Sequence, residues 1–160
     1  MFLVIYMEKV IFTSSAGGHF AELLQLEELM SKFDSLIVTE KVKSSSSSKH
    51  KTKYLIYGSR NSNKLVYLFT FLINTLKSLW IYISFRPKYI VSTGVHSTVP
   101  IMIIAKLFGK KVIYIETIAN VTSPTLTGKI IYKYTDLFLV QWEELLEVYP
   151  EAVYGGSIFK

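Results

Sequence analysis

The sequence predicts an α/β fold: a Rossmann-like parallel sheet with helices on both faces. Three observations carry that prediction. Apolar runs of strand length alternate with longer helical runs along the whole chain. The strand-length runs are almost continuously apolar, as strands buried on both faces are. Small polar residues and glycines follow these runs, at the edge where a parallel sheet gathers its ligand-binding loops.

Taken in order, Met1 to Met7 is an apolar lead-in, too short and wrongly flanked for a cleaved signal. Val10 to Ser14 is the first strand, broken by Gly17-Gly18. Phe20 to Phe33 has helical periodicity, with Phe20, Leu23, Leu24, Met30 and Phe33 on one face and Glu22, Gln25 and Glu28 elsewhere. Leu36 to Thr39 is the second strand. Residues 41–53 carry five consecutive serines between lysines. Their composition predicts a flexible, solvated loop, with contact to phosphate or membrane as the alternative. Tyr54 to Tyr57 is the third strand and Tyr89 to Ser92 the fourth. Pro100 to Phe108 is an apolar helix that opens on Pro and stops before Gly109, with Thr98 as its N-cap. Val112 to Glu116 is the fifth strand, Leu126 to Tyr134 a short helix, and Leu137 to Val140 the sixth strand. Trp142 to Tyr149 is a helix stopped by Pro150.

These elements fill one domain over residues 1–160. Half of the residues are hydrophobic, which excludes a disordered chain. There is no cysteine, so neither a disulfide framework nor a cysteine metal site is available. Eighteen Lys and Arg against 12 Asp and Glu give a net charge of +6, which attracts phosphates or an anionic membrane surface. No nucleic-acid-binding motif accompanies that charge, and no nucleic-acid partner is expected.

Three loops at the predicted carboxyl edge hold the candidate site. The first is Ser14-Ser15-Ala16-Gly17-Gly18-His19, between strand and helix. Its glycines let backbone N–H groups approach an anion, and the following helix N-terminus favours phosphate. It is neither a dinucleotide fingerprint nor a P-loop. His19, with an ordinary pKa near neutrality, suits a general base, a phosphate ligand or a structural role. The second loop, Ser92-Thr93-Gly94-Val95-His96-Ser97-Thr98, repeats the pattern, so Thr93, Gly94 and His96 join the set. The third begins at Glu116, a carboxylate at a strand end, and runs to Asn120.

Leu65 to Phe85 is interrupted only by Thr70, Asn74, Thr75, Lys77 and Ser78. It has about the length a bilayer span needs. Asn74, Lys77 and Ser78 share one helical face, and Lys77 is costly in a membrane core. Three readings stand: a helix lying on a membrane surface, a plain crossover helix, and a true span. For the first, Tyr67, Phe71, Trp80, Lys77 and Arg86 are the membrane-facing residues.

The first loop, Ser92-Thr93-Gly94, Glu116, Ser123-Pro124-Thr125-Leu126-Thr127-Gly128-Lys129, Gln141-Trp142-Glu143 and Tyr154-Gly155-Gly156-Ser157 together resemble the bacterial PssD-like polysaccharide biosynthesis proteins. These are similar to the membrane-recruiting subunit of the eukaryotic dolichol-linked UDP-N-acetylglucosamine transferase. The resemblance implies the N-terminal half of a MurG-type GT-B glycosyltransferase. It implies a separate chain, the GT-B C-terminal half, as catalytic partner and main holder of the UDP-sugar. The acceptor would be a polyprenyl-pyrophosphate-linked sugar in capsular or exopolysaccharide repeat-unit synthesis, and the place of work the cytoplasmic face of the membrane, peripherally attached. By the match, Gly17, Gly18 and His19 face the acceptor and the reaction centre. Glu116 and Asn120 stand near a Glu and an Asn of the MurG loop, at a different spacing. Neither a metal nor a cofactor beyond the sugar donor is implied. Two other classes remain open: a pure partner-recruiting module with no catalytic residues, and a small phospho-ligand enzyme working alone.

Overall fold

A computed structural model describes residues 7–43, 45, 49–58 and 63–159. Strands β1 (Lys9–Ser14), β2 (Asp34–Glu40), β3 (Thr52–Leu55), β4 (Tyr89–Ser92), β5 (Lys111–Ile115), β6 (Leu137–Val140) and β7 (Val153–Tyr154) form one sheet. Its order is β3-β2-β1-β4-β5-β6-β7, and every neighbouring pair is parallel. The chain builds outward from β1 in one direction and then, from β4, in the other. In such sheets the reversal opens a crevice beyond the carboxyl ends of the two central strands.

Apolar residues on both faces of each strand make this sheet possible. Val10 and Phe12 point to one side, where they pack with Phe20, Leu23 and Met30 of α1 (Gly18–Leu24) and α2 (Glu27–Met30). Ile11 points to the other side. There α3 (Lys64–Phe85), α4 (Val99–Leu107) and α5 (Leu126–Ile131) supply Ile81, Tyr82, Phe85, Ile101, Met102 and Ile131. Each fully buried side chain of this kind contributes about 1.5–3 kcal/mol.

Several boundaries differ from the sequence reading. The helix expected over Phe20 to Phe33 is two helices. The bonds Gln25 N–H to Glu22 O and Leu26 N–H to Leu23 O tighten the chain by the three-residue pattern, and α2 restarts in a new direction. Trp142 to Tyr149 forms a 3₁₀ segment, Glu143–Glu147, instead of an α-helix. The two-residue β7 is exposed and too short to show a period. Thr98 does sit at the N-cap, but its hydroxyl donates to Val95 O at 2.7 Å and caps no helical N–H. Of the Ser/Lys loop, Thr52 and Lys53 belong to β3. Ser45 is buried and donates its hydroxyl to Glu40 O at 2.7 Å, while Ser44 and residues 46–48 lie outside the described residues. So does the lead-in Met1 to Tyr6.

Helix α3 packs on the sheet with one apolar side exposed. Of its polar stripe, Asn74 and Ser78 are buried, and the Asn74 amide pairs with both backbone groups of Ile56 at 2.8 Å. That extends the edge of β3 by a side-chain rung. The outward face is apolar, with Leu65, Leu68, Phe69, Leu72, Leu76 and Trp80 each more than half exposed. Lys77 and Arg86 are exposed, and Lys53 Nζ lies 5.4 Å from the Trp80 ring centre. Tyr67 and Phe71, expected to face a membrane, are half-buried, and Tyr67 turns toward His96. By length and composition α3 has what a bilayer span requires. Its two ends, however, feed β3 and β4 of one sheet, and a helix so connected cannot cross a bilayer.

The Asn74 contact is testable. Asn74→Ala leaves both backbone groups of Ile56 without the side-chain partner, and is expected to lower stability by about 1–2 kcal/mol in urea unfolding. An unchanged midpoint would show that water replaces the amide and that α3 is held by its apolar contacts alone.

Candidate functional site

A groove of about 570 Å³ opens at the carboxyl ends of the central strands, lined by His19, Tyr67, Val95, His96, Asn120 and the segment Pro124–Thr127. Its near wall is made by the first two loops. Ser14 and Ser15 are buried beneath it, and Ser15 N–H donates to Gly94 O at 2.7 Å, tying one loop to the other. Ala16 N–H donates to Glu40 Oε2 at 3.2 Å. Gly17 takes φ +81°, a conformation that a residue with a Cβ rarely adopts, and its carbonyl accepts from Phe20 N–H and Ala21 N–H. Gly18 and His19 then open α1, so their N–H groups point out of the helix end.

The position of His19 is set by a reciprocal pair. Its Nδ1–H donates to Thr93 O at 2.9 Å, and the Thr93 hydroxyl donates to His19 O at 2.8 Å. A carbonyl only accepts, so the neutral ring carries its proton on Nδ1 and leaves Nε2 as a lone pair. Gly94 lies directly behind, at φ +94°, where a Cβ would meet the Tyr114 hydroxyl at 3.1 Å and His19 Nδ1 at 3.6 Å. His96 continues the wall. Its ring lies 5.6 Å from that of Tyr67, and its Nε2 is buried without a hydrogen-bond partner among the described residues.

The far wall hangs on Glu116, which does not reach the groove. Expected as a catalytic carboxylate, it is fully buried behind the wall. Its Oε1 accepts from Thr117 N–H at 3.0 Å, and its Oε2 from Thr125 N–H at 3.3 Å and the Tyr149 hydroxyl at 3.1 Å. The Thr125 hydroxyl donates to the carboxylate at 2.9 Å and accepts from Gly128 N–H at 2.9 Å, which caps α5. Four donors compensate for the buried charge, and none of them is a cation.

Of the residues singled out in the sequence, His19, His96 and Asn120 meet at one groove. Thr93 and Gly94 are buried behind His19, Gly17 and Gly18 lie exposed on the rim, and Glu116 stands behind the opposite wall. Tyr67, expected to face a membrane, instead joins the groove from α3, and one residue escaped the sequence reading altogether. Glu22 sits three residues after His19, on a face that periodicity counts as outer. It is buried, and its Oε1 accepts from the Thr117 hydroxyl at 2.6 Å and Ile118 N–H at 3.2 Å. Burial pushes its pKa up, and the Thr117 bond, the nearby His19 and the Ile118 bond offset this only in part. The motif Gln141-Trp142 also gains a role: Gln141 donates to Glu116 O and the Trp142 indole to Ile118 O, clamping the third loop from outside.

Two outcomes follow from this geometry. Glu22 has one oxygen, Oε2, without a partner, so Glu22→Gln keeps both accepted bonds and removes a buried charge. Because the folded-state pKa is raised, the stability linked to this proton is present below the ordinary value of 4.5 and is lost as pH rises through the raised value. The variant is therefore expected to be at least as stable as wild type at pH 7 and to lose that pH dependence, read by denaturant titration across pH 4–8. Gly94→Ala forces a Cβ into a strained backbone at about 1–2 kcal/mol. The added Cβ presses on the Tyr114 hydroxyl but meets the imidazole only at ordinary contact distance, so the Nδ1–H tautomer should persist by ¹⁵N NMR.

With the site in view, comparison with known proteins is specific. A family profile described as "Oligosaccharide biosynthesis protein Alg14 like" matches residues 9–158. The rat UDP-N-acetylglucosamine transferase subunit ALG14 is 29% identical over 177 residues, covering 93% of this chain and 82% of the rat protein. The human protein of that name is 35% identical over 118 residues, 67% of this chain and 55% of its own length. Among solved structures, Acinetobacter baumannii MurG superposes with a TM-score of 0.69 at 13% identity, over 86% of this chain and 42% of MurG. The UDP-GlcNAc 2-epimerase of Neisseria meningitidis, solved with UDP-GlcNAc, superposes at 0.68 and 13% identity, over 94% of this chain and 47% of the epimerase. At such identities the likeness is one of fold, and the chain spans less than half the length of either structure.

Proposed function

This chain belongs to the Alg14-like family of oligosaccharide biosynthesis proteins, and on that premise we propose that it is the acceptor-side, membrane-associated half of a two-chain glycosyltransferase. The partner is a separate GT-B-type chain holding most of the UDP-sugar. The acceptor is a sugar on a polyprenyl pyrophosphate, as in the PssD-like proteins of capsular and exopolysaccharide synthesis. The names of the rat and human relatives support UDP-N-acetylglucosamine as the first donor to test. The reading assigns no metal ligand to this chain.

One observation carries the mechanism: the His19–Thr93 pair, which holds the imidazole with its Nε2 lone pair available at a groove. In the proposed reaction the acceptor hydroxyl gives its proton to His19 Nε2 while its oxygen bonds to the sugar C1. The bond from C1 to the phosphate oxygen breaks, and UDP leaves. The Thr93 carbonyl stabilises the imidazolium that forms, because it accepts the Nδ1–H in both states. A role for His19 as a phosphate ligand requires the protonated ring instead, and the two roles differ in pH dependence.

Attachment to the cytoplasmic membrane face is proposed through α3, whose apolar outer face is bordered by Lys53, Lys77 and Arg86. That arrangement suits a helix lying at the headgroup level.

Two measurements test this reading. In a co-purified pair with UDP-N-acetylglucosamine and a polyprenyl-pyrophosphoryl sugar, His19→Ala should lower kcat by about 10²–10⁴. Intact transfer by the variant would remove His19 from the mechanism and favour a pure recruiting module. Full transfer by this chain alone would sink the two-chain idea. For the membrane, Phe69→Glu combined with Leu72→Glu should abolish co-sedimentation with anionic vesicles while leaving the thermal midpoint in place, since both side chains are solvent-exposed.

A further inference from the structure

We propose that Glu116 is a positioning residue for the acceptor: its buried carboxylate fixes where the Pro124–Thr127 wall stands relative to His19. The inference rests on the reading of the groove as the acceptor site, and it replaces the catalytic role that a carboxylate at a strand end suggests.

The argument begins with direction. An apolar side chain would hold α5 to the sheet with less desolvation. What a carboxylate adds is a set of oriented contacts. Glu116 collects donors from three parts of the chain: its own strand end at Thr117, the groove wall at Thr125, and the Tyr149 hydroxyl beyond the Glu143–Glu147 segment. The Thr125 hydroxyl is consumed on both sides, donating to Glu116 and accepting from Gly128 N–H, so the wall docks in one orientation.

Close approach is the second part. Gly128 lies on the inner side of α5, and a Cβ there would overlap both Glu116 Oε2 and the Tyr149 hydroxyl. The glycine lets the wall be drawn fully onto the carboxylate. The turn between strand and wall is clamped as well, by Glu22 at Thr117 and Ile118 and by Trp142 at Ile118. Strand β5, the turn and the wall are thus tied together through Glu116, and the wall stands across the groove from His19 and His96.

This geometry singles out a near-isosteric probe. Each carboxylate oxygen faces a backbone N–H, Thr117 at Oε1 and Thr125 at Oε2. In Glu116→Gln the amide nitrogen opposes one of these donors whichever way it is flipped. Either the turn at Thr117 or the wall at Thr125 then loses its contact, although side-chain size is unchanged. Tyr149→Phe is the milder probe, since it removes one donor and leaves the carboxylate.

The experiment uses the co-purified pair with UDP-N-acetylglucosamine and the polyprenyl-pyrophosphoryl sugar acceptor. Glu116→Gln should raise the acceptor KM by about tenfold or more, because small misplacements at a reacting centre are costly. The donor KM and the yield of partner on co-purification should hold. Tyr149→Phe should raise the acceptor KM about threefold, the equivalent of one modest hydrogen bond. A folded Glu116→Gln with unchanged acceptor KM overturns the proposal, and so do equal losses for donor and acceptor. If Glu116→Gln does not fold, Tyr149→Phe decides: a selective rise in acceptor KM supports the proposal and no rise overturns it. A wild-type pair without transfer strikes the reading of the groove itself, and this inference falls with it.

Discussion

The groove depends on the pairing of β1 with β4. These strands are distant in sequence and neighbours in the middle of the sheet, with Val10 opposite Tyr89 and Thr13 opposite Ser92. That register brings the two glycine-bearing loops side by side at the same edge. Ser15 N–H then reaches Gly94 O, and His19 exchanges hydrogen bonds with Thr93. A shift of the pairing by one residue would turn the whole strand over and separate both contacts. The orientation of the imidazole is thus a consequence of sheet register.

Around this seam the first and third loops are held by the same device, a buried carboxylate that accepts backbone N–H groups. Glu40, at the end of β2, takes Ala16 of the first loop. Glu22, on α1, takes Ile118 of the third. Glu116 takes Thr117 and Thr125 across the far wall. Irregular backbone at a sheet edge has N–H groups that no ladder satisfies, and leaving them buried and unpaired is expensive. Carboxylates meet that need with two acceptors each. The acidic residues of this site therefore belong to its framework, and the near wall presents two histidines, His19 and His96, of which His19 has a defined tautomer.

The long helix α3 obeys a different balance. Asn74 is drawn inward because the open end of β3 offers backbone groups to pair with: Ile56 N–H donates to its Oδ1, and Ile56 O accepts from its Nδ2. Having spent its polar stripe on the protein, the helix presents Leu65, Leu68, Phe69 and Leu72 to the outside, an apolar surface larger than scattered single residues would make. Tyr67 lies on the boundary between that surface and the groove.

The sequence by itself determined the fold class, the identity of six strands and the loops that carry the site. Those signals are local: apolar runs of strand length, and glycines at positions such as Gly17 and Gly94 where the backbone needs them. It also placed His19, His96 and Asn120 on one rim, since parallel strands put all their carboxyl ends together. Tertiary structure decided the roles. Nothing local distinguishes Glu116, which is buried behind a wall, from a carboxylate facing a groove. Nor does helical periodicity reveal that Glu22 turns in toward Thr117, or that Asn74 of α3 pairs with Ile56. In each case the partner is a backbone N–H or C=O supplied by another element, and only the folded chain brings the two within hydrogen-bond distance.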